Sequence, residues 1–242
     1  MVFASLVLSL LLMYNDAMNG YFQGFSEHTQ FGSESLCPKQ NRIGLLGGTF
    51  NPIHCGHLDM AYIALYEFAL GEVVFLPLGM PPHKRDEYIA PAFHRTEMIR
   101  LAISQESRFT LSTIETSREG LTYTVDTLEA LRRLKRNTAF YYIIGADTLF
   151  ELPSWRNYER VMLLTDFICI LRPGQDDQNV RRYADELNSK YGQKIYIAGE
   201  RGPNISSSII RQQAAENKLK SGLVPDTVAQ YIKLHRVYME EE

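Results

Sequence analysis

Gly47-Gly48-Thr49-Phe50-Asn51-Pro52-Ile53-His54-Cys55-Gly56-His57 is the stretch on which the reading of this chain turns. It follows a short apolar run, Ile43–Leu46, and leads into a helical pattern from about Leu58 to Leu70. A strand, a glycine turn and a helix opening with two histidines form a phosphate-handling arrangement. Glycines let the backbone approach an anion closely, and a helix N-terminus presents unpaired N–H groups and the positive end of the helix dipole. His54 and His57 are spaced so that both can face that anion. A tight turn followed by two surface histidines is the plainer alternative, but it accounts for neither the length nor the order of the block.

Outward from this block, strand and helix patterns alternate. Apolar runs at Ile43–Leu46, Val73–Leu78, Phe109–Ser112, Phe140–Ile144, Phe167–Leu171 and Ile195–Ile197 read as short buried strands. A second helix starts at Pro91 and carries Met98, Ile99, Ala102 and Ile103 on one face. A third runs from Thr124 to Leu134, with Val125, Leu128, Leu131 and Leu134 at helical spacing. The expected fold is α/β, a Rossmann-like doubly wound parallel sheet with a small C-terminal helical subdomain. That subdomain starts near residue 204, with a hydroxyl-rich helix start at Asn204–Arg211 and a helix from Pro225-Asp226 to Tyr238. In such sheets ligands bind at the carboxyl ends of the strands beside the switch in strand order, and the Gly47 block follows the first strand.

The composition narrows the partners. Lys plus Arg number 25 against 28 Asp plus Glu, a net charge of −3, which gives no electrostatic case for nucleic acid. Cys37, Cys55 and Cys169 are widely spaced and read as free thiols in a reducing compartment. Cys55 between two histidines invites a zinc site, but no convergent set of four ligands supports it, so no protein-held metal is expected.

Residues 1–41 read apart from the rest. Val2–Met13 is apolar but too short to span a bilayer, and no Lys or Arg precedes it as in a signal peptide. The expectation is an unstructured extension, such as an upstream start codon produces, ahead of a folded domain over residues 42–238. No membrane partner is expected, the location is read as cytoplasmic, and homo-oligomerisation is left open. The Asn204-Ile205-Ser206 sequon would matter only in a secreted chain.

The Gly47 block fits neither a P-loop nor a dinucleotide fingerprint. With the distal Ile205-Ser206-x-x-x-x-Arg211 it resembles the HxGH nucleotidyltransferase superfamily. Further segments narrow the resemblance to the bacterial type of nicotinate-mononucleotide adenylyltransferase: Pro81-Pro82-His83-Lys84, Tyr123–Leu128, Ile144-Gly145-Ala146-Asp147, Ser154-Trp155 and Arg172-Pro173-Gly174. It extends from about Arg42 to Tyr238. Asn51, where relatives often carry Asp, departs from the pattern; Asn still makes local turn hydrogen bonds. Arg156 departs too, at a place where some relatives have an aromatic residue.

The resemblance implies transfer of the adenylyl group of ATP to nicotinate mononucleotide, with release of pyrophosphate, in NAD biosynthesis. It implies that His54 and His57 grip the triphosphate, His57 stabilising charge at the α-phosphoryl centre, with backbone contacts from Gly48, Thr49 and Phe50. Ser206 and Arg211 would hold the β and γ phosphates, Arg211 counting with the histidines as catalytic. Mg²⁺ would come with ATP as a phosphate-bridging ion. On the acceptor side Lys84 would reach the mononucleotide phosphate, Trp155 would stack on the pyridine ring, Thr124 would meet the nicotinate carboxylate, and Asp147 would bind ribose hydroxyls or orient the site. His83, His94 and His235 are read as structural or solvent-facing. The alternatives are a sibling adenylyl- or cytidylyltransferase with another phosphorylated acceptor, and a non-catalytic nucleotide-binding module.

Overall fold

The apolar run after Arg42 forms the central strand of a parallel sheet. The computed structural model describes residues 39–79, 88–192 and 194–239, within a unit running from Leu36 to Glu242. Strand β1 (Lys39–Gly48) pairs with β2 (Leu70–Pro77) on one side and β4 (Ala139–Gly145) on the other. Beyond β2 lies β3 (Phe109–Leu111); beyond β4 come β5 (Asp166–Leu171) and β6 (Ile195–Arg201). The order is β3-β2-β1-β4-β5-β6, every pair parallel. Winding outward from β1 and then returning to β4 leaves a crevice between the C-terminal ends of those two strands.

Side chains of successive strand residues point to opposite faces, and both faces here are apolar. Leu46, Tyr141, Ile143, Ile168 and Ile170 pack under α1 (Cys55–Glu67), α2 (Ala92–Ile103), α7 (Ser207–Ala215) and α8 (Asp226–Leu234). Ile43, Leu45, Phe140, Tyr142, Ile144 and Phe167 pack under α3 (Thr124–Leu134), α4 (Ala146–Glu151), α5 (Tyr158–Leu164) and α6 (Asp177–Tyr191). The sheet is therefore doubly wound, as the alternating pattern predicts. The C-terminal helices contribute Ile210, Ala214, Val228 and Ile232 to the same core as α1.

Several boundaries shift from the sequence reading. Helix α1 starts at Cys55 and ends at Glu67, which frees Leu70 to open β2. Pro91 caps α2 from outside the helix, and α8 stops at Leu234, short of Tyr238. Leu134, the last residue of α3, is 76% exposed rather than part of its buried face. Helices α4, α5 and α6 are additional elements. The signal for α6 was present: Asp176 accepts from the Asn179 N–H as its cap, and Val180, Ala184 and Leu187 bury one stripe of an otherwise polar helix. Among the described residues, no helix is long and apolar enough to cross a membrane. Val2–Met13, Cys37, His83 and Lys84 lie outside the described residues.

Candidate active site

The turn after β1 is shaped by close approach. A Cβ on Gly47 would lie 1.9 Å from the Tyr142 hydroxyl of β4, so no side chain fits there. Phe50 takes the left-handed conformation (φ 48°), which turns its ring into the core, where it is 2% exposed. The chain then enters α1 with His54 at the N-cap in extended backbone. Cys55 N–H, the first of the helix, donates to Leu223 O at 2.9 Å.

The two histidines form one unit. Their rings stack with centroids 3.7 Å apart, and the His54 backbone N–H donates to His57 Nδ1 at 3.2 Å. Gly56 between them lets Ile205 close in, since a Cβ there would come within 3.1 Å of His54 Nδ1 and 3.4 Å of Ile205 Cβ. Burial lowers the His54 imidazole to about 3, with the Arg172 charge pushing the same way. Burial, His54 and Arg172 together hold half-buried His57 well below its ordinary value. Both rings are therefore neutral at pH 7. His54 Nδ1 is buried without a hydrogen-bond partner among the described residues. Beside the pair lies an open cleft lined by His54, His57, Met60, Arg172, Pro203 and Ile205 among others. Arg172 sits just past β5, so the sheet order alone brings it here.

Helix α7 is fastened to the same turn. Ser206 caps it, its hydroxyl oxygen accepting from Ser208 N–H at 3.3 Å. Ser207 Oγ donates to Pro52 O at 3.1 Å, and Arg211 Nη1 donates to Asn51 O at 3.0 Å. Asn51 is 5% exposed and works in both directions: Oδ1 accepts from Ala90 N–H and the Tyr238 hydroxyl, each at 3.0 Å, while Nδ2 donates to Tyr88 O at 2.8 Å. What the sequence suggests is a minor departure is thus a junction of three chain segments.

Arg95 of α2, 2% exposed, had no signal in the sequence beyond its helical position. Its guanidinium donates to Ala90 O at 2.9 Å, Thr49 O at 2.8 Å, Leu78 O at 2.8 Å and Gly79 O at 3.2 Å. It thereby clamps the end of β2 to the glycine turn.

Across the crevice, Thr124 and Trp155 meet at Tyr142. Thr124 opens α3 within hydrogen-bonding reach of the Tyr142 hydroxyl, and Trp155 packs edge-on to the Tyr142 ring, centroids 5.6 Å apart. Burial and the nearby Glu115 raise the Tyr142 phenol, so it stays protonated. Glu115 is 1% exposed, and burial raises its carboxyl against the pull of Thr127 and Arg118. Asp147, exposed in the first turn of α4, accepts from Gln175 Nε2 at 3.4 Å. Arg156 lies 4.4 Å over the Tyr123 ring, taking up a cation–π contact. The described residues thus bring His54, His57, Ser206 and Arg211 around one turn, and Thr124 with Trp155 around one tyrosine.

Comparison with known proteins agrees with this geometry. The cytidylyltransferase-like family matches residues 45–213. A Symbiobacterium thermophilum protein named "Probable nicotinate-nucleotide adenylyltransferase" is 38% identical over 201 residues, covering 83% of this chain and 97% of that protein. One of the same name from Clostridium acetobutylicum is 36% identical over 195 residues, covering 81% and 98%. The chain belongs to the nicotinate-nucleotide adenylyltransferase family. The fold recurs in Plasmodium falciparum nicotinic acid mononucleotide adenylyltransferase complexed with NaAD, with a TM-score of 0.66 at 23% identity, covering 82% of this chain and 98% of that one. As a nicotinate-nucleotide adenylyltransferase family member, the chain has its histidine turn at the switch point of the sheet, between β1 and β4.

Proposed function

We propose that this protein transfers the adenylyl group of ATP to nicotinate mononucleotide, giving nicotinate adenine dinucleotide and pyrophosphate in NAD biosynthesis. The observation that carries this reading is the neutral, stacked His54–His57 pair at the start of α1, tied through Asn51 to Arg211. A helix N-terminus, two imidazoles and a guanidinium suit a triphosphate better than any neutral ligand.

Adenylyl transfer asks little covalent work of a protein. The acceptor phosphate oxygen attacks the α-phosphorus in line as pyrophosphate leaves, so positioning and charge stabilisation dominate. His57 accepts the backbone N–H at Nδ1, which leaves its proton on Nε2 to donate to the α-phosphoryl group. Backbone N–H groups of Gly48, Thr49 and Phe50, with His54, Ser206 and Arg211, hold the remaining phosphates. On the other side Trp155 offers a ring face to the pyridine and the α3 N-terminus at Thr124 receives the carboxylate. Asp147 and Lys84 complete the acceptor contacts in this reading.

Among the described residues no three His, Cys, Asp or Glu side chains converge as a metal site. The groups facing the triphosphate are imidazoles and a guanidinium, a poor set for a hard cation. Mg²⁺ in this proposal is held by phosphate oxygens, where it neutralises their charge. A cytoplasmic location belongs to the same proposal.

The test is pyrophosphate release with ATP, Mg²⁺ and one acceptor at a time: nicotinate mononucleotide, nicotinamide mononucleotide and phosphopantetheine. Nicotinate mononucleotide is expected to be preferred over its amide by tenfold or more, since an N–H-lined pocket leaves the amide's own donors unpaired. Equal kcat/KM for acid and amide, or turnover with phosphopantetheine alone, overturns the assignment.

A further inference from the structure

We infer that Tyr238, in the tail beyond α8, is a positioning residue for the triphosphate grip, acting through the Asn51 side chain on the backbone that holds Arg211. This rests on the adenylyl-transfer reading above. Tyr238 is 8% exposed, and its hydroxyl donates to Asn51 Oδ1 at 3.0 Å. The same oxygen takes Ala90 N–H, and the carbonyl of the same residue takes Arg211 Nη1. One residue of the histidine turn therefore faces the tail with its side chain and Arg211 with its backbone.

The tail reaches this place in an uncommon conformation. After α8 ends at Leu234, Arg236 (φ 50°) and Tyr238 (φ 70°) both adopt left-handed backbone, which L-residues rarely hold unless their surroundings impose it. Val237 N–H donates back to Ile232 O at 3.0 Å and Met239 N–H to Arg236 O at 3.2 Å, fixing the fold-back. Tyr88 meets the Tyr238 ring edge-on at 6.2 Å, so ring packing accounts for the ring, but not for the hydroxyl. The hydroxyl supplies the second donor at Asn51 Oδ1. Without it the carboxamide keeps a single donor on its oxygen, and the turn that presents its carbonyl to Arg211 is less firmly set.

Mg²⁺–ATP binding without acceptor, measured by calorimetry on the full chain, tests this. Tyr238→Phe keeps the ring and is expected to weaken ATP binding about threefold to tenfold, as loss of one net hydrogen bond does. KM for nicotinate mononucleotide should stay near wild type, with Tm lowered only by the few degrees that one internal hydrogen bond is worth. Asn51→Ala should lose at least as much, and adding Tyr238→Phe to it should lose nothing more. Unchanged ATP affinity in Tyr238→Phe overturns the inference, as do additive losses in the double variant. So does equal weakening of both substrates, which marks general loosening. If Asn51→Ala does not fold, Tyr238→Phe against wild type decides alone: a selective loss of ATP affinity is expected, and unchanged affinity overturns the inference. A wild-type chain that binds ATP yet releases no pyrophosphate with any acceptor refutes the transfer reading while the binding comparison still decides Tyr238; one that binds no ATP refutes both.

Discussion

His57 is fixed before any substrate arrives. With Nδ1 engaged by a backbone N–H, its ring presents one donor in one direction. A donor aimed at developing charge is worth about 10²–10³ in rate. His57→Ala is therefore expected to lower kcat by that factor with an unchanged circular dichroism spectrum, while His54→Ala acts more on KM for ATP. A folded His57→Ala variant with near-normal kcat would refute the role. At this scale the sequence was legible in what it brings together: His54 and His57, named from spacing, and Ser206 and Arg211, named from resemblance, stand around one turn. Glu115 could not be named, and Arg172 stood out only as part of the Arg172-Pro173-Gly174 resemblance, with no role attached. Their importance comes from β5 ending beside α1 and from Glu115 being buried near Tyr142, and no local pattern encodes either.

Between elements, the crevice is kept in shape by hydrogen bonds to backbone rather than by ion pairs. Arg95 is the largest case: one buried guanidinium serves four carbonyls from the residues just after β2, the glycine turn and the segment before α2. Arg95→Met has similar length but no donor, and leaves those carbonyls without their partner. Each unsatisfied buried polar group costs about 1–3 kcal/mol, so a loss above about 2 kcal/mol is expected in urea unfolding. Arg95→Lys should recover little of it, since an ammonium cannot span the fork. A Met variant within about 0.5 kcal/mol of wild type, the range of ordinary surface changes, would show that the carbonyls find other donors. The strand runs and the α3 boundaries were readable because their apolar periodicity is strong. Helices α4 and α5 were not, being six and seven residues long, too short to display a period.

For the whole molecule, two properties follow from the arrangement. The curated relatives are matched over nearly their full length by about four-fifths of this chain, and β1 starts at Lys39. A chain starting at Leu36 is accordingly expected to keep its pyrophosphate-releasing activity; if it loses activity or precipitates, the preceding residues contribute to the fold. The second property is acid sensitivity. His54, lowered to about 3 in the folded chain from 6.5, and His57, lowered also, bind protons readily only when unfolded. Below pH 6.5 the unfolded state takes up protons that the folded state refuses, so their contribution to stability falls steadily towards pH 3. Asp59 has the opposite sign. Burial raises it from 3.8 to about 6, so its contribution is full below 3.8 and is lost as pH rises through 6. Glu115, raised by burial, acts in the same sense as Asp59. Glu106, held down by Arg108, adds to the loss at the acid end. Tm is therefore expected to decline from pH 7 to pH 4.5, less steeply than two histidines alone would dictate. His54→Gln, which carries no titrating ring, should flatten that decline while leaving Tm above pH 7.5 little changed in its pH dependence. Parallel Tm–pH curves for the two proteins would mean that the buried imidazole does not govern the acid limb.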